Sequence, residues 1–92
     1  MKLTYSRLAL KDMDKIRDRH AVRGLVKALD LLEAADDLRT MSQVKALAGN
    51  GSYYRIRIGN YRLGFRQSDD GQGVLIMRMM HRREIYRHFP PV

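Results

Sequence analysis

Polar and apolar positions alternate at the start of the chain, where Leu3 and Tyr5 sit between polar neighbours over residues 2–6, and this period of two predicts a short strand. The period then lengthens. Ser6 is placed to cap a helix whose apolar positions Ala9, Leu10, Met13 and Ile16 fall at helical spacing. A second helix is more strongly marked: Val22, Leu25, Val26, Leu29 and Leu32 form one stripe at three-four spacing, with Arg23, Lys27, Asp30 and Glu33 opposite it. Asp36-Asp37 ends that pattern. A polar linker anchored by Val44 and Leu47 leads to the turn cluster Gly49-Asn50-Gly51-Ser52.

From Tyr53 the period returns to two. Tyr54, Ile56 and Ile58 point one way and Tyr53, Arg55 and Arg57 the other. Gly59-Asn60 reads as a two-residue hairpin turn, because such turns need positive φ and glycine adopts it without strain. A loop of that length sets Ile58 opposite Tyr61, Arg57 opposite Arg62, Ile56 opposite Leu63, Arg55 opposite Gly64 and Tyr54 opposite Phe65. One face of the hairpin is then wholly apolar and packs on the helices. Residues 67–73 form a polar turn, and Val74–Met80 is an apolar run broken only by Arg78, which predicts a central strand covered on both faces. The ending His81-Arg82-Arg83-Glu84-Ile85-Tyr86-Arg87-His88-Phe89 suits a short helix or turn held by Ile85 and Phe89, with Arg82 and Tyr86 together on another side and Pro90-Pro91 stopping it. The expected architecture is α+β over one domain, residues 1–92: a four-stranded, mainly antiparallel sheet against two N-terminal helices, then a short C-terminal helix or turn.

Composition narrows the function. A chain of 92 residues, 45% hydrophobic and 30% charged, fits one soluble globular domain. Its longest apolar runs are far too short to span a membrane, and the first residues hold no apolar leader segment, so a cytoplasmic protein without membrane partners is expected. The absence of cysteine excludes disulfides, cysteine nucleophiles and cysteine-based zinc sites. Three scattered histidines and the Asp69-Asp70 turn make no recognisable ligand set, so neither metal nor other cofactor is expected.

Charge adds more. The formal net charge is +8, and every basic residue after position 48 is an arginine, eight of them against three acidic residues. Arginine offers phosphate a planar fork of donors, so an anionic partner is expected. The second face of the hairpin concentrates this charge, opposing Arg57 to Arg62 with Arg55 and Arg66 nearby, although like charges across strands cost up to about 1 kcal/mol. Folding alone supplies no reason for that pairing. Gly64, opposite Arg55, removes a side chain from this face and leaves room for an approach to the backbone. A solvated basic face and a phosphate site both fit the pattern. On the phosphate reading, replacing either Arg57 or Arg62 by alanine leaves the fold intact or slightly more stable.

The two N-terminal helices, the segment Tyr54-Arg55-Ile56-Arg57-Ile58-Gly59-Asn60-Tyr61-Arg62-Leu63 and the ending His81-Arg82-Arg83-Glu84-Ile85-Tyr86-Arg87 resemble the RelE/ParE superfamily of bacterial type II toxins. The resemblance covers nearly the whole chain. It implies a RelE-like fold and a small, acidic, RelB-like antitoxin as partner. For the RelE branch it also implies cleavage of mRNA in the ribosomal A site, and for the ParE branch inhibition of DNA gyrase without catalysis. Carried over residue by residue, it implies phosphate binding by Arg55 and Arg57 and functional roles for Arg62, Arg82 and Tyr86. Arg66 and Arg83, which the resemblance does not match, are expected to add to phosphate binding by their charge.

The chemistry of metal-independent RNA cleavage asks for the same kinds of group. A ribose 2′-OH must lose a proton, charge on phosphorus must be stabilised and the 5′ oxygen must gain a proton. Arginines stabilise charge but stay protonated, so Arg55 and Arg57 cannot be the base. Histidine titrates near about 6.5 and tyrosine near about 10, which makes His81 and Tyr86 the candidates for proton transfer, with the assignment between them open. Glu84 is the remaining carboxylate candidate for this chemistry, or else it pairs with a nearby arginine. His20 is expected at the surface or between the helices, and His88 has no assigned role. The expected function is therefore the mRNA-cleaving toxin, because His81-Arg82 with Tyr86 supplies proton-transfer groups that a pure inhibitor does not need; the ParE-like gyrase inhibitor is the alternative, and a module that merely holds nucleic acid is the third reading.

Overall fold

In the computed structural model, which describes residues 1–47 and 51–91, one sheet carries the whole chain. Its strands are β1 (Lys2–Tyr5), β2 (Val44–Ala46), β3 (Tyr53–Ile58), β4 (Tyr61–Gln67) and β5 (Gly73–His81), in the spatial order β1-β5-β4-β3-β2. The sheet has five strands rather than four. The additional strand is the three-residue β2, pairing antiparallel with β3 from Val44↔Ile56 to Ala46↔Tyr54, in the segment that reads as a polar linker. Three residues are too few to show a period of two. Only β1 runs parallel to its neighbour, pairing Leu3 with Val74 and Tyr5 with Ile76, so the sheet is mainly antiparallel. β5 lies between β1 and β4, as its continuous apolar run requires. The Gly49-Asn50 part of the expected turn cluster lies outside the described residues.

Two helices cover one face. Helix α1 (Arg7–Asp14) starts where β1 stops, and Ser6 makes both junctions: its N–H donates to Ile76 O, its hydroxyl donates to Met77 O and the same oxygen accepts from the N–H of Ala9. Helix α2 (Arg19–Ala34) is capped by Asp18, whose carboxylate accepts from the N–H groups of His20 and Ala21. The buried stripe of α2 is Ala21, Leu25, Ala28 and Leu32, whereas Val22 and Val26 are exposed. Leu10 of α1 is exposed as well. Small residues explain the rotation. A Cβ on Gly24 would fall 2.6 Å from Cγ2 of Ile58, so α2 lies against the sheet through Ala21, Gly24 and Ala28 and turns its valines outward. Counting only large apolar residues therefore places the stripe about one residue off. The core between the layers is closed by Ile56, Ile58, Leu63, Phe65, Val74, Ile76 and Met79.

A shift of register between Gly64 and Phe65 lets Val74, Ile76 and Met79 all reach this core: Gly64 pairs with Arg78 but Phe65 with Ile76, so Met77 is the extra residue of a bulge. β1 ends at Tyr5, opposite Ile76, and leaves the edge of β5 bare beyond that point. Asp12 of α1 closes it. Its carboxylate accepts from the N–H of Met79 (3.0 Å) and from Arg78 Nε (2.8 Å) and Nη2 (3.1 Å). The Asp12 and Arg78 side chains are only 9% and 16% exposed. Among the described residues no helix is long and apolar enough to cross a membrane.

Asp12→Ala removes the acceptor and leaves Arg78 charged and largely buried, so it is expected to cost about 3–5 kcal/mol in urea unfolding. Converting both partners, Asp12→Ala with Arg78→Met, should return part of that loss. Equal stability of Asp12→Ala and the parent protein would remove the latch from this account.

Candidate RNA-binding face

The turn at Gly59 sets the face opposite the helices. Gly59 takes φ 57 while Asn60 keeps a negative φ, the combination of a type II′ hairpin turn. Every pair of the expected register is present, including Arg57↔Arg62, Arg55↔Gly64 and Tyr54↔Phe65, with Tyr53↔Arg66 at the far end. Arg55, Arg57, Arg62 and Arg66 therefore share one face of the sheet. Their environments differ. Arg57 and Arg66 are exposed, and Arg66 reaches only the solvent-facing Asp69, at 3.7 Å. Arg62 is 9% exposed, and its Nη1 donates to the carbonyls of Gly59 (2.8 Å) and Tyr61 (2.9 Å). That inward fold relieves the repulsion from Arg57 and ties Arg62 to the turn. Arg55 is 7% exposed and forms no ion pair among the described residues. Its stem is covered while its nitrogens still reach solvent.

Gly64 does not lie open to a ligand. The Phe89 ring occupies the space above it, where a Cβ would meet Cδ2 and Cε2 at 2.7 Å, and the ring also meets Tyr53 edge-on with centroids 5.6 Å apart. Ile85 and Phe89 are both buried. They anchor the tail, including the single turn Ile85–Arg87, on the arginine side of the sheet. The N–H of Arg82 donates to Asn60 O at 2.7 Å, fastening the beginning of the tail to the hairpin turn. Tyr86, between the two anchors, is 53% exposed. Arg82, Arg83 and Arg87 are exposed beside it in sequence.

His81 is placed differently. It pairs with Tyr61, its ring meets the Tyr61 ring edge-on at 5.8 Å, and Tyr61 packs against the core beneath the helices. The His81 side chain thus leaves the sheet on the face opposite Arg62. There it borders an open cavity of about 520 Å³ with Asp12, Lys15 and Arg83. Its Nδ1 accepts from the N–H of Arg83 at 3.2 Å, which puts the proton of the neutral ring on Nε2. Glu84 has no ion pair among the described residues, contrary to the expected pairing with an arginine. His20 is exposed near the start of α2, and no cluster of His, Asp or Glu suited to a metal occurs among the described residues.

The chain matches over residues 3–86 a family described as the ParE toxin of type II toxin–antitoxin system, parDE. It is 29% identical over 92 residues to Toxin RelE3 of Methanocaldococcus jannaschii, covering 98% of this chain and 100% of that protein. The toxin–antitoxin complex RelB–RelE from Methanococcus jannaschii has a chain that superposes with a TM-score of 0.75 at 27% identity, over 94% of this chain and 98% of that one. YafQ from E. coli strain BL21(DE3) superposes with a TM-score of 0.72 at 17% identity, over 92% and 97%, a likeness of fold alone.

The two opposed arginines should respond differently to truncation. Arg57→Ala is expected to leave stability within about 0.5 kcal/mol, since the side chain stands in water. Arg62→Ala loses its two hydrogen bonds to the turn and is expected to cost about 1–3 kcal/mol. Urea midpoints of both variants check this, and a stabilising Arg62→Ala would show that repulsion outweighs the hydrogen bonds.

Proposed function

The chain belongs to the ParE toxin family of type II toxin–antitoxin systems, within the RelE/ParE superfamily, and we propose that it is an endoribonuclease that cuts mRNA in the ribosomal A site. The observation that carries this reading is the coincidence of a face of arginines with a tail that brings an exposed tyrosine to the same side of the sheet. In this reading Arg55, Arg57 and Arg66 bind the RNA backbone, helped by Arg83, and Arg62 and Arg82 stabilise charge on the reacting phosphate. The ribose 2′-OH attacks the adjacent phosphorus, the bond from phosphorus to the 5′ oxygen breaks, and the products are a 2′,3′-cyclic phosphate and a 5′-hydroxyl. Two proton transfers balance the step, one from the 2′-OH and one to the departing 5′ oxygen; Tyr86 carries one of them and solvent water the other, and the phenol is restored by exchange with water. His81 leaves the sheet on the other side and supports the turn through Arg83, so its share in proton transfer is smaller than that of Tyr86. The similarity to Toxin RelE3 across both full lengths favours the same branch.

A small acidic antitoxin is the proposed protein partner, covering the arginine face until the toxin is released. Toxin–antitoxin complexes among the similar structures support that partnership. The ParE description of the matched family favours a second reading, in which the protein inhibits DNA gyrase and cleaves nothing.

Ribosomes programmed with end-labelled mRNA separate the readings. Cleavage is expected to persist in EDTA, with ribosomes held intact by polyamines, and to leave 5′-hydroxyl ends. Tyr86→Phe should lower kcat by about 10²–10⁴-fold, the usual worth of general acid–base catalysis, without loss of stability because its ring is half in water. His81→Gln should cost less than Tyr86→Phe. Fragments with 5′-phosphate ends, or an undiminished Tyr86→Phe protein, would contradict the mechanism. Intact mRNA with blocked gyrase supercoiling would move the assignment to the second reading.

A further inference from the structure

The tail that carries Tyr86 cannot hold itself in place. One turn, Ile85–Arg87, has too few internal hydrogen bonds to be stable alone. Its backbone closes on itself through three N–H groups, that of Arg87 donating to Glu84 O at 3.1 Å and those of His88 and Phe89 donating to Ile85 O at 2.9 and 2.8 Å, which is a single turn's worth. Side chains fix it to the sheet. Ile85 and Phe89, one and three residues away from Tyr86 on either side, are 0% and 1% exposed. Phe89 also lies beyond the residues that match the family, 3–86. Its seat is specific, because a Cβ at position 64 would fall only 2.7 Å from Cδ2 and Cε2 of the ring, so the ring sits there only while position 64 is glycine, and Tyr53 closes the ring's side.

We propose that the seating of Phe89 over Gly64 positions Tyr86 for the reaction, making Phe89 and Gly64 positioning residues rather than catalytic ones. The proposal rests on the endoribonuclease reading above. Filling the notch with a methyl group expels the ring, and the tail then loses one of its two anchors while the sheet beneath keeps its ladder. The same seat covers the space beside Arg55, directly opposite Gly64, so its loss also exposes the stem of that arginine.

The test compares Gly64→Ala, Phe89→Ala and the double variant Gly64→Ala with Phe89→Leu, in which a smaller side chain meets the added methyl. Amide exchange over residues 82–89 is expected to quicken at least tenfold in both single variants, while β4 and β5 remain protected. On ribosome-bound mRNA, kcat should fall about 10²-fold, the cost of an ångström-scale misplacement, with KM within about twofold. The double variant should recover most of the kcat lost by Gly64→Ala. A freed tail with undiminished kcat would overturn the proposal, as would unchanged exchange in both single variants, or parallel changes in kcat and KM without recovery in the double variant. A parent protein that cuts no ribosome-bound mRNA overturns the underlying reading instead, and it does so before any variant is compared.

Discussion

The register of the Gly59 hairpin is the constraint on which the rest depends. Side chains alternate along a strand, so a slip of one residue between β3 and β4 would turn either Ile56 and Ile58 or Leu63 and Phe65 to water and bury the arginines of that strand. Burial of the apolar set stabilises each side chain by about 1.5–3 kcal/mol, far more than arginine repulsion costs, so the core selects the register and the cationic face follows from it. Charge is gathered at one place as a consequence of packing at another. Arg62 then folds back onto the turn, and Arg57 and Arg66 remain exposed while Arg55 and Arg62 are largely covered.

The two faces of the sheet are covered in different ways. One lies beneath two capped helices that approach closely through Ala21, Gly24 and Ala28, with Asp12 latched to the bare edge of β5. The other, among the described residues, is covered by a tail seated on Ile85 and Phe89. The cover is thin: it fastens Arg82 to the hairpin turn and leaves Tyr86 exposed between its two anchors.

Much of this was legible in the sequence: the hairpin and its pairing, the capping role of Ser6, the central position of β5 and the anchors of the tail all follow from period and turn chemistry. What the sequence hid has physical causes. β2 is too short to carry a period, and the buried stripe of α2 runs through alanines and a glycine that hydropathy alone passes over. Arg78 stands out as the one charge in an apolar run, yet nothing near it in sequence points to Asp12, some sixty-six residues away. The vacancy at Gly64 is visible in the sequence, whereas its occupant is a tail residue brought there by the fold. His81 and Tyr86 look equivalent as titratable neighbours, and only the pairing of His81 with Tyr61 separates them onto opposite sides.

The central claim is that the arginine face, completed by Tyr86, receives the phosphate that is cut. The most direct measurement is the position of that phosphate in a complex of this protein with a ribosome whose mRNA carries a 2′-deoxy sugar at the cleavage site, which blocks the reaction. The account predicts the phosphate within hydrogen-bonding distance of guanidinium groups from the β3–β4 face, with the Tyr86 hydroxyl on the same side. A phosphate seated instead on the α2 side of the sheet, in the cavity beside His81, or beyond reach of every arginine on this face would contradict it.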